Sequence, residues 1–143
     1  MSLSEPRNSK PIPRATPETE HFWQGTLLGE LRLQRCNVCS TTYFYARPGC
    51  PNCASTDVSW TVASGRGKLH TYLINYRPAP GFEAETPYAI AIVELEEGPR
   101  MMSNIVGVKN DPENLILNMD LEVTFEQRDD VAVPLFRPAR LSS

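Results

Sequence analysis

The sequence predicts a mainly β fold: short N-terminal helices, a small metal-clamped sheet, then a five-stranded barrel. Three observations predict it. All four cysteines fall in two Cys-x-x-Cys pairs, Cys36/Cys39 and Cys50/Cys53, with ten residues between the pairs. Beyond Ser64 the chain breaks into β-prone runs bounded by glycine and proline. Thirteen prolines favour turns, strand ends and extended segments over long helices.

The elements follow in order. Residues 1–16 are rich in proline and polar groups and lack hydrophobic periodicity, so an extended or disordered arm is expected. Residues 17–30 form a helical segment. Thr16 suits an N-cap, Pro17 the first helical position, and Glu18 and Glu20 the positive end of the helix dipole. Gly25 is the expected stop, with a second short turn over residues 26–29. Phe22, Trp23, Leu27 and Leu28 are too apolar for a free surface; they pack on the main body or meet another protein.

Residues 31–63 carry the cysteines. In each pair a two-residue gap lets one tight turn aim two sulfurs at a single ion. A hairpin that joins the pairs completes a tetrahedron with metal–sulfur distances of about 2.3 Å. Zinc is the first expectation and iron the second, since thiolate-rich tetrahedral sites suit both. The alternatives are two disulfides, which need an oxidising compartment, or a redox dithiol, which needs only one such pair. Four cysteine ligands leave no open coordination position, so the metal is expected to be structural and to contribute folding free energy. Strands over 31–35, 41–45 and 58–62 complete the layout of a zinc ribbon, with Arg47-Pro48-Gly49 turning the chain into Cys50.

Residues 64–139 supply the barrel. Ser64-Gly65-Arg66-Gly67 reads as a turn or bulge, then strands over 68–77, 88–95, 100–108, 121–126 and 133–136. A proline-rich loop spans 78–87 and a connector with one helical turn spans 111–119. Residues 88–95 are apolar on both alternating faces, which predicts burial on both. Pro134 suits an edge strand. Five such strands with a connector before the fourth match a small Greek-key barrel of the OB type.

Apolar and charged fractions of 41% and 22% are those of an ordinary globular chain. No apolar run approaches the roughly 18 residues of a membrane helix. Residues 1–10 have no apolar core to serve as a secretory signal, so a cytoplasmic setting is expected. Charge is uneven. Residues 31–80 carry six basic side chains against Asp57 alone, whereas residues 81–130 carry twelve acids against Arg100, Lys109 and Arg128. An anionic ligand belongs near the first half, and a long nucleic acid is repelled by the second.

The sequence resembles a known family. It is carried by Arg35-Cys36-x-x-Cys39 … Cys50-Pro51-x-Cys53, Ser64-Gly65-Arg66-Gly67, Thr86-Pro87-Tyr88, Val93-Glu94-Leu95-x-x-Gly98 and Leu135-Phe136-Arg137-Pro138. Phe22-Trp23-x-Gly25 and Gly29-x-Leu31 add to it. Together these resemble the zinc-ribbon and OB-fold family once catalogued as domain of unknown function thirty-five, over residues 17–138. The resemblance implies N-terminal helices, a rubredoxin-like ribbon, an OB barrel, and structural zinc on Cys36, Cys39, Cys50 and Cys53. It also implies a small non-catalytic subunit beside a thiolase-like, aldolase or hydratase partner, helping to hold an acyl-CoA thioester. The sequence departs from the family twice. Ser40 and Asn118 stand where glycine is common, and asparagine tolerates a left-handed backbone better than most residues.

An independent enzyme is not expected. Every cysteine is committed to metal, only His21 and His70 offer neutral-pH bases, and no nucleophile motif has a partner base. For a CoA thioester, Arg47, Arg66 and Lys68 are the candidate phosphate contacts. Tyr45, with Tyr43 and Phe44, is a candidate stacking surface or part of the ribbon core. Phe22 and Trp23 are the candidate partner contacts. Two other readings compete: a single-stranded nucleic-acid binder, opposed by the acidic barrel, and a purely structural bridge between subunits.

Overall fold

The computed structural model describes residues 12–77 and 87–139. Most of the expected arm (1–11) and of the expected loop (78–86) lies outside the described residues. Among the described residues are one helix, α1 (Glu20–Leu27), and eight strands. Three of the strands, β1 (Arg32–Cys36), β2 (Thr42–Tyr43) and β3 (Val58–Val62), form one antiparallel sheet in the order β2-β1-β3. The others are β4 (Arg66–Asn75), β5 (Tyr88–Leu95), β6 (Arg100–Asn104), β7 (Asp120–Arg128) and β8 (Val131–Pro138). They form a second sheet in the order β6-β5-β4-β7-β8. No helix among the described residues is long and apolar enough to cross a membrane.

The helical segment differs from expectation at both ends. Thr19, not Thr16, is the N-cap. Residues 17–19 form a preceding turn in which the Thr16 carbonyl accepts the N–H groups of Thr19 and Glu20 at 2.9 Å. Gly25 lies inside the helix with the Arg32 side chain packed over it; a Cβ there would sit 2.4 Å from Arg32 Cδ. The stop is Gly29, at φ +76°. Glu30 N–H donates to the Gly25 carbonyl at 2.8 Å and Gly29 N–H to the Thr26 carbonyl at 3.1 Å, a Schellman closure. The second turn expected over 26–29 is therefore the end of this single helix.

Most strand ends move by two residues or fewer. β2 is shorter than expected because Tyr45 already has a left-handed backbone, φ +68°. β4 shifts register against β5 between Leu69 and Thr71, a bulge, and pairs with β7 over Arg66, Gly67 and Lys68. β5 is sealed fully on one face, where Ala89, Ala91, Val93 and Leu95 are buried; on the other Tyr88 is buried but Ile90 and Ile92 are half-buried. β6 ends at Asn104 instead of continuing to Val108, because Ile105 leaves it to form a parallel bridge with Phe136 of β8. β8 is longer than expected, since it pairs with β7 along its whole length. The Ile105–Phe136 bridge, with Val106 N–H donating to the Phe136 carbonyl at 2.8 Å, joins the sheet's two edges. The barrel is closed there and open elsewhere, as OB barrels commonly are.

One apolar core serves α1, the ribbon and the barrel. Phe22, Leu31, Leu33 and Ala63 pack in the same cluster as Leu69, Val93, Leu121 and Phe136. A separate small cluster of Cys36, Tyr43 and Cys50 surrounds the cysteines.

Candidate metal centre and neighbouring surfaces

Each cysteine pair is built as the same knuckle. In the first, Val38 and Cys39 N–H groups point at Cys36 Sγ, both at 3.4 Å, and Ser40 N–H donates to the Cys36 carbonyl at 3.0 Å. In the second, Asn52 N–H points at Cys50 Sγ at 3.3 Å and Ala54 N–H donates to the Cys50 carbonyl at 2.9 Å. Closing either turn needs a left-handed residue after the second cysteine. Ser40 holds φ +66° and Ala54 φ +65°. Asn118, the other position where glycine is common, holds φ +70°.

The β1–β3 pairing and the Cys50 turn bring the knuckles face to face. The four sulfurs all lie within 4.8 Å of one another. Cys36–Cys53 and Cys39–Cys50 are separated by 3.5 and 3.6 Å. A tetrahedron with metal–sulfur bonds of about 2.3 Å has edges of about 3.8 Å, so one ion fits among them. A disulfide needs about 2.05 Å between sulfurs, and all four cysteines are free. Cys36 and Cys50 are buried, Cys39 is half-buried and Cys53 exposed.

The surroundings favour the thiolate at two of the four cysteines, Cys39 and Cys36. Thr41 Oγ1 lies 3.1 Å from Cys39 Sγ, and the Asn52 side-chain amide donates to the same sulfur at 3.5 Å. These two contacts hold the Cys39 thiol down to about 5. Cys36 is also lowered, first by the Cys39 backbone N–H. Cys53 is pushed up to about 12: the Ser55 backbone N–H acts the other way, but sharing protons with the neighbouring sulfurs and burial outweigh it. A divalent cation relieves that conflict, because it lets four anionic sulfurs sit together. Behind the knuckles, Asn37 donates to Asp57 Oδ1 and accepts from Ser59 Oγ, each at 3.0 Å, which pins the first turn to β3.

The other residues singled out in the sequence fall in three places. Phe22 is 7% exposed and belongs to the core. Trp23 meets it edge-on at 4.9 Å. Tyr45 is exposed, with its ring 4.5 Å from Phe44. Arg47 is exposed, its backbone N–H bonded to the buried Gln34 side chain at 2.8 Å. Arg66 and Lys68 share a cleft of about 580 Å³ on the barrel. That cleft also holds Glu94, Glu96, Asp120 and Glu122. Lys68 pairs with Asp120 at 2.8 Å, which lowers the Asp120 carboxyl below its ordinary range. The clustered positive charge expected from the sequence is thus offset by acids from the second half of the chain. The two histidines do not meet: His21 lies 4.8 Å from the Trp60 ring, and His70 is exposed at the β4 bulge.

Sequence reasoning missed a second cavity of about 220 Å³, where Met101, Met102, Val133 and Pro134 face Trp23, Phe44 and Tyr45. Its two walls come from segments more than fifty residues apart, and no local signal joins them.

Comparison with known proteins agrees with this architecture. Residues 23–59 match the rubredoxin-like zinc ribbon domain of ChsH2, and residues 60–126 match its C-terminal OB-fold domain. A probable enoyl-CoA hydratase alpha subunit of Thermomonospora curvata is 31% identical over 137 residues, covering 94% of this chain and 42% of the relative. A DUF35 domain-containing scaffold protein of Methanocaldococcus jannaschii is 40% identical over 94 residues, 65% of each chain. This chain thus spans under half of the first relative and about two thirds of the second. A solved structure described as an Ltp2-ChsH2(DUF35) aldolase superposes with a TM-score of 0.77 at 31% identity, covering 89% of this chain and 98% of that one. With the sulfur cluster, the two-sheet topology and these matches together, the chain belongs to the ChsH2-type DUF35 family of zinc-ribbon and OB-fold proteins.

Proposed function

We propose that this chain is a non-catalytic accessory subunit that seats an acyl-CoA thioester beside a thiolase-like, aldolase or hydratase partner. One observation carries the reading. The likeness to the structure described as an Ltp2-ChsH2(DUF35) aldolase covers 89% of this chain and 98% of that one, so it spans the whole of that folded unit. Physical chemistry supports the non-catalytic half. Among the described residues the four cysteines are the one group of three or more metal-capable side chains, and they fill a tetrahedron. A closed site offers no position for water or substrate, so the metal's role is to hold the ribbon. The four carboxylates beside Arg66 and Lys68 repel a phosphate backbone, which argues against a nucleic-acid groove there.

The test is co-expression with candidate thiolase-like, aldolase and hydratase enzymes of the same organism. Co-elution on size exclusion and a gain in the partner's turnover are the expected results. Separate elution with unchanged turnover overturns the reading. Co-elution with turnover unchanged across acyl-CoA concentrations reduces it to a structural bridge.

A further inference from the structure

The apolar cavity lies where the barrel fails to close. β6 and β8 are the sheet's free edges. On one side of the gap they are tied by the Ile105–Phe136 bridge and by Ser103 Oγ donating to the Pro134 carbonyl at 3.0 Å. Towards Met102 and Val133 the ladder is absent, and Pro134 has no N–H to extend it. The strands part, and α1 and the ribbon do not fill the space. They wall it instead, with Trp23 from the helix and the Phe44–Tyr45 pair from the ribbon.

Three features point to a ligand. None of the residues lining the cavity is charged, so a phosphate or carboxylate group finds no ion-pair partner inside. Methionine and aromatic side chains dominate its walls, and both adapt to flexible hydrocarbon. Tyr45 stands at the rim, 58% exposed, on a backbone at φ +68°. A bulky residue with that φ is strained, and such strain clusters at ligand clamps. The same turn could hold a glycine without strain; here it presents a ring to the cavity.

We propose that this groove receives the acyl chain of the thioester and that Tyr45 clamps it. The inference rests on the accessory reading above. A volume of about 220 Å³ is below the roughly 300–1,000 Å³ that holds a drug-sized ligand. The groove therefore takes a short linear or branched chain, or one end of a longer one, with the nucleotide outside.

The test is calorimetric titration of the full zinc-loaded chain with free CoA, acetyl-, butyryl- and hexanoyl-CoA. The N-acetylcysteamine thioester of hexanoate, which has no nucleotide, completes the set. Affinity is expected to rise roughly three- to fourfold per added methylene up to hexanoyl. Tyr45→Gly removes the ring and also relieves the backbone, so folding is preserved. Met102→Glu places a charge on a side chain already 57% exposed, at the groove mouth. Both variants are expected to flatten the chain-length dependence, and Met102→Glu to leave free-CoA affinity within twofold. Equal affinity across the series, or a dependence that survives both variants, overturns the groove while leaving CoA binding intact. A dependence that disappears when the partner enzyme is added assigns the groove to a partner side chain and overturns it as well. Length-dependent binding of the N-acetylcysteamine thioester, with free CoA ignored and no partner co-eluting, upholds the groove and sinks the accessory reading.

Discussion

Ser40 and Ala54 occupy the same place in the two knuckles, and neither is the residue the backbone prefers there. A left-handed conformation costs an L-residue roughly 1–2 kcal/mol. Glycine removes that cost but gives back roughly 0.4–1 kcal/mol through the entropy of the unfolded chain. Ser40→Gly is therefore expected to stabilise the metal-loaded protein by about 0.5–1 kcal/mol, read as a higher melting temperature. A lower one means that the Ser40 side chain has a role beyond its backbone. The neighbouring Cys39 carries a pH dependence whose sign is fixed. Its thiol ionises ordinarily near 9.0 and near 5 in the folded chain. Because the folded value is depressed, its contribution is complete above the ordinary value and is lost as pH falls through the folded one. Metal release on acidification, followed with a chromogenic chelator, is therefore expected to have its midpoint below the ordinary thiol value of 9.0. Thr41→Val removes the hydroxyl beside the sulfur and is expected to move that midpoint upward; no movement means Thr41 does not tune the site.

At the scale of elements, β4 holds the barrel together because it pairs with β5 on one side and β7 on the other. Gly67 permits the close approach of β5. A Cβ there would lie 2.7 Å from Val93 Cγ1 and 2.8 Å from the Glu94 carbonyl oxygen, and the latter is ladder backbone that cannot swing aside. Gly67→Ala is expected to destabilise the protein by about 1–3 kcal/mol while zinc content stays full, since the cysteines belong to the other sheet. Loss of zinc in that variant contradicts the assignment. The sequence placed Ser64 to Gly67 in a turn or bulge, whereas β4 already runs from Arg66, and it marked β3 and β5 at their true ends. The cysteine spacing was equally legible, because metal ligation constrains neighbours two residues apart. The helix start was not. Thr16 and Pro17 form a plausible cap, but the Thr16 carbonyl is used by a turn that comes first. The length of β8 was also hidden, since it comes from pairing with β7 and not from its own residues. The open seam is further still from the sequence: it exists only after both barrel edges and α1 have been placed.

For the whole molecule, the decisive feature is that β1 belongs to two packing systems at once. Cys36, at its C-terminal end, is a metal ligand buried in the small cysteine cluster. Leu33, within it, and Leu31, just before it, are almost fully buried in the core shared with Leu69, Val93 and Phe136 of the barrel. Leu31 also accepts the Ala63 N–H at 2.7 Å, at the point where the ribbon runs into the barrel. Structural zinc in small modules contributes roughly 10–16 kcal/mol at neutral pH, whereas a whole domain is stable by about 5–15 kcal/mol. Removing the ion therefore costs as much as the chain has to lose, and β1 transmits the loss. Chelation is expected to lower the melting temperature by about 20 °C or more. The ribbon signal, from Trp60 on β3, and the barrel signal, from far-ultraviolet circular dichroism, are expected to disappear in one transition. If the barrel instead melts separately, at the temperature of the zinc-loaded protein, then β1 does not couple the two sheets, and the metal serves the ribbon alone.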